Sequence, residues 1–220
     1  MESLAPLLAD PQWDCVEQIY LIGFSLGGNV AIRAAHEKVD PRIKAVAAIC
    51  PPLDLAQSQV HIDGPSLPVY RRSVLRALIE NYPRVSQSAL RHGLALPPEE
   101  RIKSVQTIRE WDELTIVPRF QFRSVEEYYR TQSSGPLLAE MTTPTLVVAS
   151  ATDPMIPAEA LRTHLLNASP AVSGAWIHRG GHVFFPPGAT IGVDKGTNQS
   201  AGIYGEILHS LENLVRKNTY

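Results

Sequence analysis

The sequence predicts an α/β fold: a mostly parallel sheet with helices on both faces, interrupted by a helical insertion. Three observations predict it. A first stretch and a later one each alternate short apolar runs with helical patterns, and residues 54–141 between them hold no convincing strand. With 220 residues, 44% hydrophobic and 19% charged, the chain is ordinary for one globular domain, and bulk disorder is excluded.

Residues 17–23 (EQIYLIG) are apolar and end on glycine, the mark of a buried strand. Residues 26–37 (LGGNVAIRAAHE) favour a helix, and residues 43–50 (IKAVAAIC) return to a strand that stops against Pro51 and Pro52. Strand, helix, strand in this space is a βαβ unit with parallel pairing. Residues 145–150 (TLVVAS) start the second part, followed by a helix over 158–166, a strand over 175–178 and a closing helix over 201–217. Residues 2–9 read as the tail of a helix feeding the first strand. The insertion reads as helices around 70–80, 99–113 and 125–130. The expected division is an α/β core of 1–53 and 142–220 with a helical cap of 54–141, a plausible lid.

Twenty Lys and Arg against 22 Asp and Glu give a net charge of −2, so no basic stripe points to nucleic acid. No apolar stretch approaches the ~20 residues needed to span a bilayer. The first residues (MESLAPLLADPQWD) carry no basic region ahead of a long apolar run, so a secretory signal is not expected. Cys15 and Cys50 are the two cysteines, which fits reduced thiols and a cytoplasmic setting. There is no H-E-x-x-H, no Cys/His cluster and no G-x-G-x-x-G, so neither a metal nor a dinucleotide cofactor is expected.

The junction between the first strand and its helix reads Gly23-Phe24-Ser25-Leu26-Gly27-Gly28. This is G-x-S-x-G where its mechanism needs it: a strained turn lifts the Ser25 hydroxyl above the sheet edge. The Leu26 N–H, at the helix N-terminus, is then placed to stabilise developing negative charge. A serine nucleophile needs a base, and the base needs an orienting acid. Of seven histidines, His182 alone follows a pair of glycines in the loop after the last strand, at the sheet edge where α/β sites form. The other six read as structural side chains. Asp153 follows the strand 145–150 at the same edge and is the preferred acid. Asp54 also follows a strand and competes, and for either aspartate the alternative is a helix N-cap or an Asx turn. Leu75, Leu78 and Ile79 offer an apolar helix face in the insertion, which suits either an acyl chain or core packing.

GFSLGGNV, PPLDL, TIREWDE, EEYYRTQSS, TDPMIP and RGGHVFF, in that order, resemble the YheT-like α/β-hydrolases, relatives of the alpha/beta-hydrolase-domain esterases and acylglycerol lipases. The resemblance covers most of the chain. It implies the α/β-hydrolase fold, with Ser25, Asp153 and His182 as a triad in the chain order of those enzymes. It further implies hydrolysis of carboxylic esters, short-chain or acylglycerol in type, through an acyl-enzyme, on a small-molecule ester or lipid and with no cofactor. The stretch PPGATIGVDKGTNQS after His182 has no place in the family pattern.

That pattern also includes several strands ahead of the elbow strand, and a His-Gly loop supplying a second oxyanion donor. Few residues precede Ser25, so the first strands are expected to be missing and the chain N-terminally truncated. His92-Gly93 imitates the loop but follows no strand. Two functional classes follow. One is a serine esterase or lipase, with thioesterase and peptidase as weaker contenders because a triad serves all acyl transfers alike. The other is a weak or inactive hydrolase-like module that self-associates through its open elbow-strand edge.

Overall fold

The computed structural model describes residues 4–192 and 202–217. Glu2 and Ser3 of the expected first helix, Ala201 of the expected last one and residues 193–200 lie outside the described residues. Two compact units are present: Met1–Leu53 with Ser134–Tyr220, and Asp54–Ser133.

The first unit opens with α1 (Ala5–Leu8), β1 (Ile19–Phe24), α2 (Leu26–His36) and β2 (Ile43–Ile49). Arg42 fastens the segment before β1 to the start of β2. Its guanidinium donates to the Leu8 carbonyl at 2.6 Å and the Trp13 carbonyl at 2.5 Å, and pairs with Asp40. Hydrogen bonds from the Arg42 guanidinium and then from the Arg42 N–H hold the Asp40 carboxyl below the usual carboxylate range.

The second unit is helical: α3 (Leu55–Asp63), α4 (Pro68–Arg91), α5 (Glu99–Lys103), α6 (Ile108–Trp111), a π-helical turn over Asp112–Ile116, α7 (Val117–Arg119) and α8 (Val125–Gln132). The first of these escapes sequence reading because its residues (LAQSQVHID) show little apolar periodicity. Its N-cap is Asp54, whose carboxylate accepts from the Gln57 N–H at 2.9 Å. The next helix runs well beyond the expected 70–80, passing through Pro83. The single helix expected over 99–113 is two, because Thr107 and Glu110 form a capping box that starts α6 afresh. Leu75, Leu78 and Ile79 pack with Tyr82, Ile102 and Trp111 in this unit's own core.

The chain then returns to the first unit through a 3₁₀ turn (Gly135–Glu140), β3 (Thr145–Ser150), α9 (Ala158–Leu166), β4 (Val172–Ile177) and α10 (Gly202–Lys217). Leu138 and Met141 pack in the sheet unit's core beside Ile32 and Val46, so the helical unit closes at Ser133 rather than at residue 141.

The sheet has the order β1-β2-β3-β4, and every pair is parallel. Alternate residues of the two inner strands enter opposite layers, as the pleat requires. Val46, Ala48, Val147 and Ala149 face a layer shared with Ile32 of α2 and Leu161 of α9. Ala45, Ala47, Ile49, Leu146 and Val148 face a layer shared with Ile203, Ile207 and Leu211 of α10. Helices therefore cover both faces, and inner strands buried on both sides read as continuous apolar runs. At one margin of the sheet lies β1, with Ile22 38% and Phe24 40% exposed. Among the described residues no helix is long and apolar enough to cross a membrane.

Candidate active site

Parallel pairing brings the C-terminal ends of all four strands to one edge of the sheet, and three candidate side chains emerge there. Ser25 follows β1 directly, with φ 50° and ψ −126°, in the positive-φ region that side-chain-bearing residues rarely occupy. Its N–H donates to the Ile49 carbonyl at 2.8 Å, which anchors the turn to β2. Room for the turn comes from Gly23, where a Cβ would lie 2.2 Å from the Gly27 carbonyl oxygen and 2.6 Å from the Gly28 nitrogen. Gly27 differs: a Cβ there would meet nothing within 4 Å. Close approach is thus needed at only one of the motif's two glycines. Leu26 is the first residue of α2, directly after Ser25, so its N–H is among the first-turn donors that have no partner within the helix.

His182 lies in the loop after β4. Its Nε2 is 2.7 Å from Ser25 Oγ, and its Nδ1 is 2.7 Å from Asp153 Oδ2. The other carboxylate oxygen, Oδ1, accepts from the Met155 N–H at 2.7 Å and the Ile156 N–H at 3.0 Å. The Asp153 side chain is only 1% exposed and that of His182 is 12% exposed. A buried carboxylate with three donors is satisfied, and its remaining orientations are few.

The loops carrying acid and base are also tied to each other. The Thr152 hydroxyl donates to the Gly180 carbonyl, and the Ala151 N–H donates to the Ile177 carbonyl at 2.8 Å. Gly180 has φ 141°, and a Cβ there would lie 2.9 Å from the Phe184 carbonyl oxygen. That oxygen accepts from the Gly181 N–H at 2.8 Å, closing a turn around His182. Thr152 was not singled out in the sequence; a threonine next to an aspartate carries no signal of its own.

The remaining candidates have other work. Asp54 is the N-cap of α3, as its Asx-type alternative predicts. His92 is the C-cap of α4, followed by Gly93 at φ 74°. The His164 ring packs where a side chain on Gly135 would stand, a structural role.

Cys50 stands at the same edge, directly after β2, and is fully buried. A ligand atom each from Cys50, Asp153 and His182 lie within 4.8 Å of one another, a set whose types can hold a metal ion. Here Asp153 Oδ2 and His182 Nδ1 are bonded to each other. Burial, then the Asp153 charge, pushes the Cys50 thiol up to about 12, so the sulfur keeps its proton. Asp153, His182 and Ser25 form a hydrogen-bonded run ending on the Ser25 hydroxyl. Such a run can deprotonate that hydroxyl as it attacks an acyl carbon.

The family model described as alpha/beta hydrolase fold matches residues 16–164. The chain is 27% identical over 172 residues to monoacylglycerol lipase of Saccharomyces cerevisiae, covering 76% of this chain and 38% of that protein. It is 29% identical over 171 residues to the YheT protein of Escherichia coli, covering 77% and 49%. With the slr0264 protein of Synechocystis it shares 31% identity over 129 residues, covering 59% and 34%. The chain therefore spans about half, or less, of the length of these curated relatives.

Proposed function

The chain belongs to the alpha/beta hydrolase fold family, and on that premise we propose that it is a carboxylic ester hydrolase acting through Ser25, His182 and Asp153. One observation carries the proposal: the unbroken run of two 2.7 Å contacts from Ser25 Oγ through His182 to Asp153. The names of relatives agree in class, one of them being a monoacylglycerol lipase. The substrate class proposed is accordingly a short-chain or acylglycerol-type ester, and the setting cytoplasmic.

In this mechanism Ser25 Oγ attacks the ester carbonyl carbon while His182 Nε2 takes its proton. Asp153 accepts from Nδ1–H, which fixes the tautomer and stabilises the imidazolium. The carbonyl oxygen, now negative, is stabilised by the Leu26 N–H at the start of α2. As the tetrahedral intermediate collapses, the carbon–oxygen bond to the alcohol breaks and His182 returns its proton to that alcohol. Water, activated by the same histidine, then hydrolyses the acyl-Ser25 ester. Nucleophile, base and acid all come from the chain, so the steps call on no cofactor. The helical insertion is read as a cap that sets substrate choice, on the ground of its place in the chain between β2 and β3.

The test is labelling with a fluorophosphonate probe alongside hydrolysis of p-nitrophenyl esters. Labelling and turnover are expected in the wild-type chain and absent from Ser25→Ala. Labelling that survives in Ser25→Ala would place the nucleophile elsewhere.

A second reading has its own observation. Because β1 is outermost in the sheet and leaves Ile22 and Phe24 partly exposed, a weakly active module that self-associates along this edge is the alternative. Labelled but polydisperse protein with low turnover would favour it.

A further inference from the structure

Cys50 occupies the one position in the sheet that lies between the nucleophile and the acid. Its strand, β2, is flanked by β1, which ends at Ser25, and β3, which leads to Asp153. Cys50 has φ 47°, a left-handed conformation that side-chain-bearing residues rarely adopt. Its N–H donates to the Val148 carbonyl at 2.8 Å, so the turn is anchored to β3. Strain of this kind persists only where surrounding structure enforces it, and it gathers at functional sites.

The titratable groups that meet at this point are the Cys50 thiol from the end of β2, the Asp153 carboxylate from beyond β3 and the His182 imidazole from beyond β4. Their donor and acceptor atoms lie within 4.8 Å of one another. A carboxylate offers about four lone-pair sites. Two backbone N–H groups and His182 occupy three on Asp153. The thiol, buried and protonated, lies within 4.8 Å of the same carboxylate. As a protonated S–H it is a donor and a poor nucleophile.

We propose that Cys50 is a positioning residue: its S–H donates to the Asp153 carboxylate, fills the acceptor site left by the other three donors, and fixes the oxygen that faces His182. The role rests on the hydrolase reading above and deepens it. Cys50 touches no substrate and acts through Asp153. In the sequence it is a lone cysteine at a strand end, with nothing to mark it.

The experiment compares the wild-type chain with Cys50→Ser and Cys50→Ala. Serine and alanine have similar volume and both tolerate the turn, so the sulfur's lost volume is common to the two. Only serine keeps a donor. The first readout needs no turnover: the low-field proton signal of His182 Nδ1–H, assigned by its loss in His182→Ala. It is expected in wild type and Cys50→Ser, and shifted or broadened in Cys50→Ala. The second is the rate of Ser25 acylation by the fluorophosphonate. Cys50→Ser should stay within about twofold of wild type and Cys50→Ala should fall ~3–10-fold, the range of one hydrogen bond. Serine and alanine variants that behave alike in the first readout overturn the proposal, as does a wild-type chain with no resolved His182 Nδ1–H signal. A wild-type chain that shows the signal but does not label at Ser25 sinks the hydrolase reading instead, and the signal alone then decides the role of Cys50.

Discussion

Ser25 and Cys50 end adjacent parallel strands in the same way. Each is a non-glycine residue with left-handed φ, 50° and 47°, and each donates its N–H at 2.8 Å to the last pairs of the next strand, Ile49 and Val148. The sheet thus staggers two strained turns side by side. The first presents the Ser25 hydroxyl to His182, and the second brings the Cys50 thiol within 4.8 Å of the Asp153 carboxylate. Each turn is anchored to the neighbouring strand by that N–H bond, so both depend on the parallel register.

The acid is expected to be Asp153, with Asp54 a helix cap. Asp153→Asn should lower turnover ~10⁴-fold, because an amide favours the wrong imidazole tautomer. Asp54→Ala should leave Ser25 labelling unchanged while destabilising the helical unit by ~1 kcal/mol through the lost bond to the Gln57 N–H. Fluorophosphonate rates and thermal melts read the two effects separately. A larger kinetic loss in Asp54→Ala than in Asp153→Asn would reverse the assignment.

The two glycines of the elbow should differ. Gly23→Ala puts a Cβ against the backbone of Gly27 and Gly28, which cannot yield as a flexible side chain would. We expect a loss of ~3 kcal/mol or more and no labelling. Gly27→Ala meets open space inside α2 and should gain ~0.5–1 kcal/mol from helix propensity. Equal melting temperatures for the pair would contradict the packing described.

Stability of the helical unit should fall as pH rises from about 4 to 7. Burial lifts the Asp112 carboxyl to about 7, with the charges of Asp63 and Glu113 adding to it and the Tyr129 hydroxyl bond, 2.7 Å long, opposing it. Unfolded, the same group titrates near ~3.9. The folded chain therefore binds the extra proton between these values, and stability is lost as pH climbs through them, by at most ~1.4 kcal/mol per unit. Hydrogen bonds from Arg109 and Arg123 draw Glu126 and Glu127 down to about 2, so their contribution is lost at lower pH, as pH falls through that range. Asp112→Asn should flatten the melting temperature between pH 4 and 7. An unchanged slope in that variant would remove Asp112 as its source.

Self-association, where it occurs, is expected along β1. Ile22 projects from the outermost strand at 38% exposure, and a lysine there would blunt the edge. Sedimentation of wild type and Ile22→Lys should show larger species in the first and monomer in the second. A monodisperse wild-type monomer excludes association through this strand.

By itself the sequence determined the βαβ order, the elbow and the identities of Ser25, His182 and Asp153 as candidates. It could do so because those signals are local: apolar runs set strands, glycine at position 23 permits the turn, and a glycine pair precedes His182. Local signals also misled. The polar helix α3 has no apolar periodicity to announce it, α4 runs past the apolar stretch that suggests it, and Leu75, Leu78 and Ile79 read alike as acyl-chain face or core until their packing with Trp111 and Tyr82 places them in the core. Tertiary structure alone decided what depends on register between distant strands. Ser25 and His182 are 157 residues apart in the chain and 2.7 Å apart in space. The Thr152 tie to Gly180, the burial of Cys50 near Asp153 and the 2.7 Å contact of Asp153 with His182 arise the same way. No short stretch of sequence encodes them, because each is fixed by which strand ends the parallel sheet sets side by side.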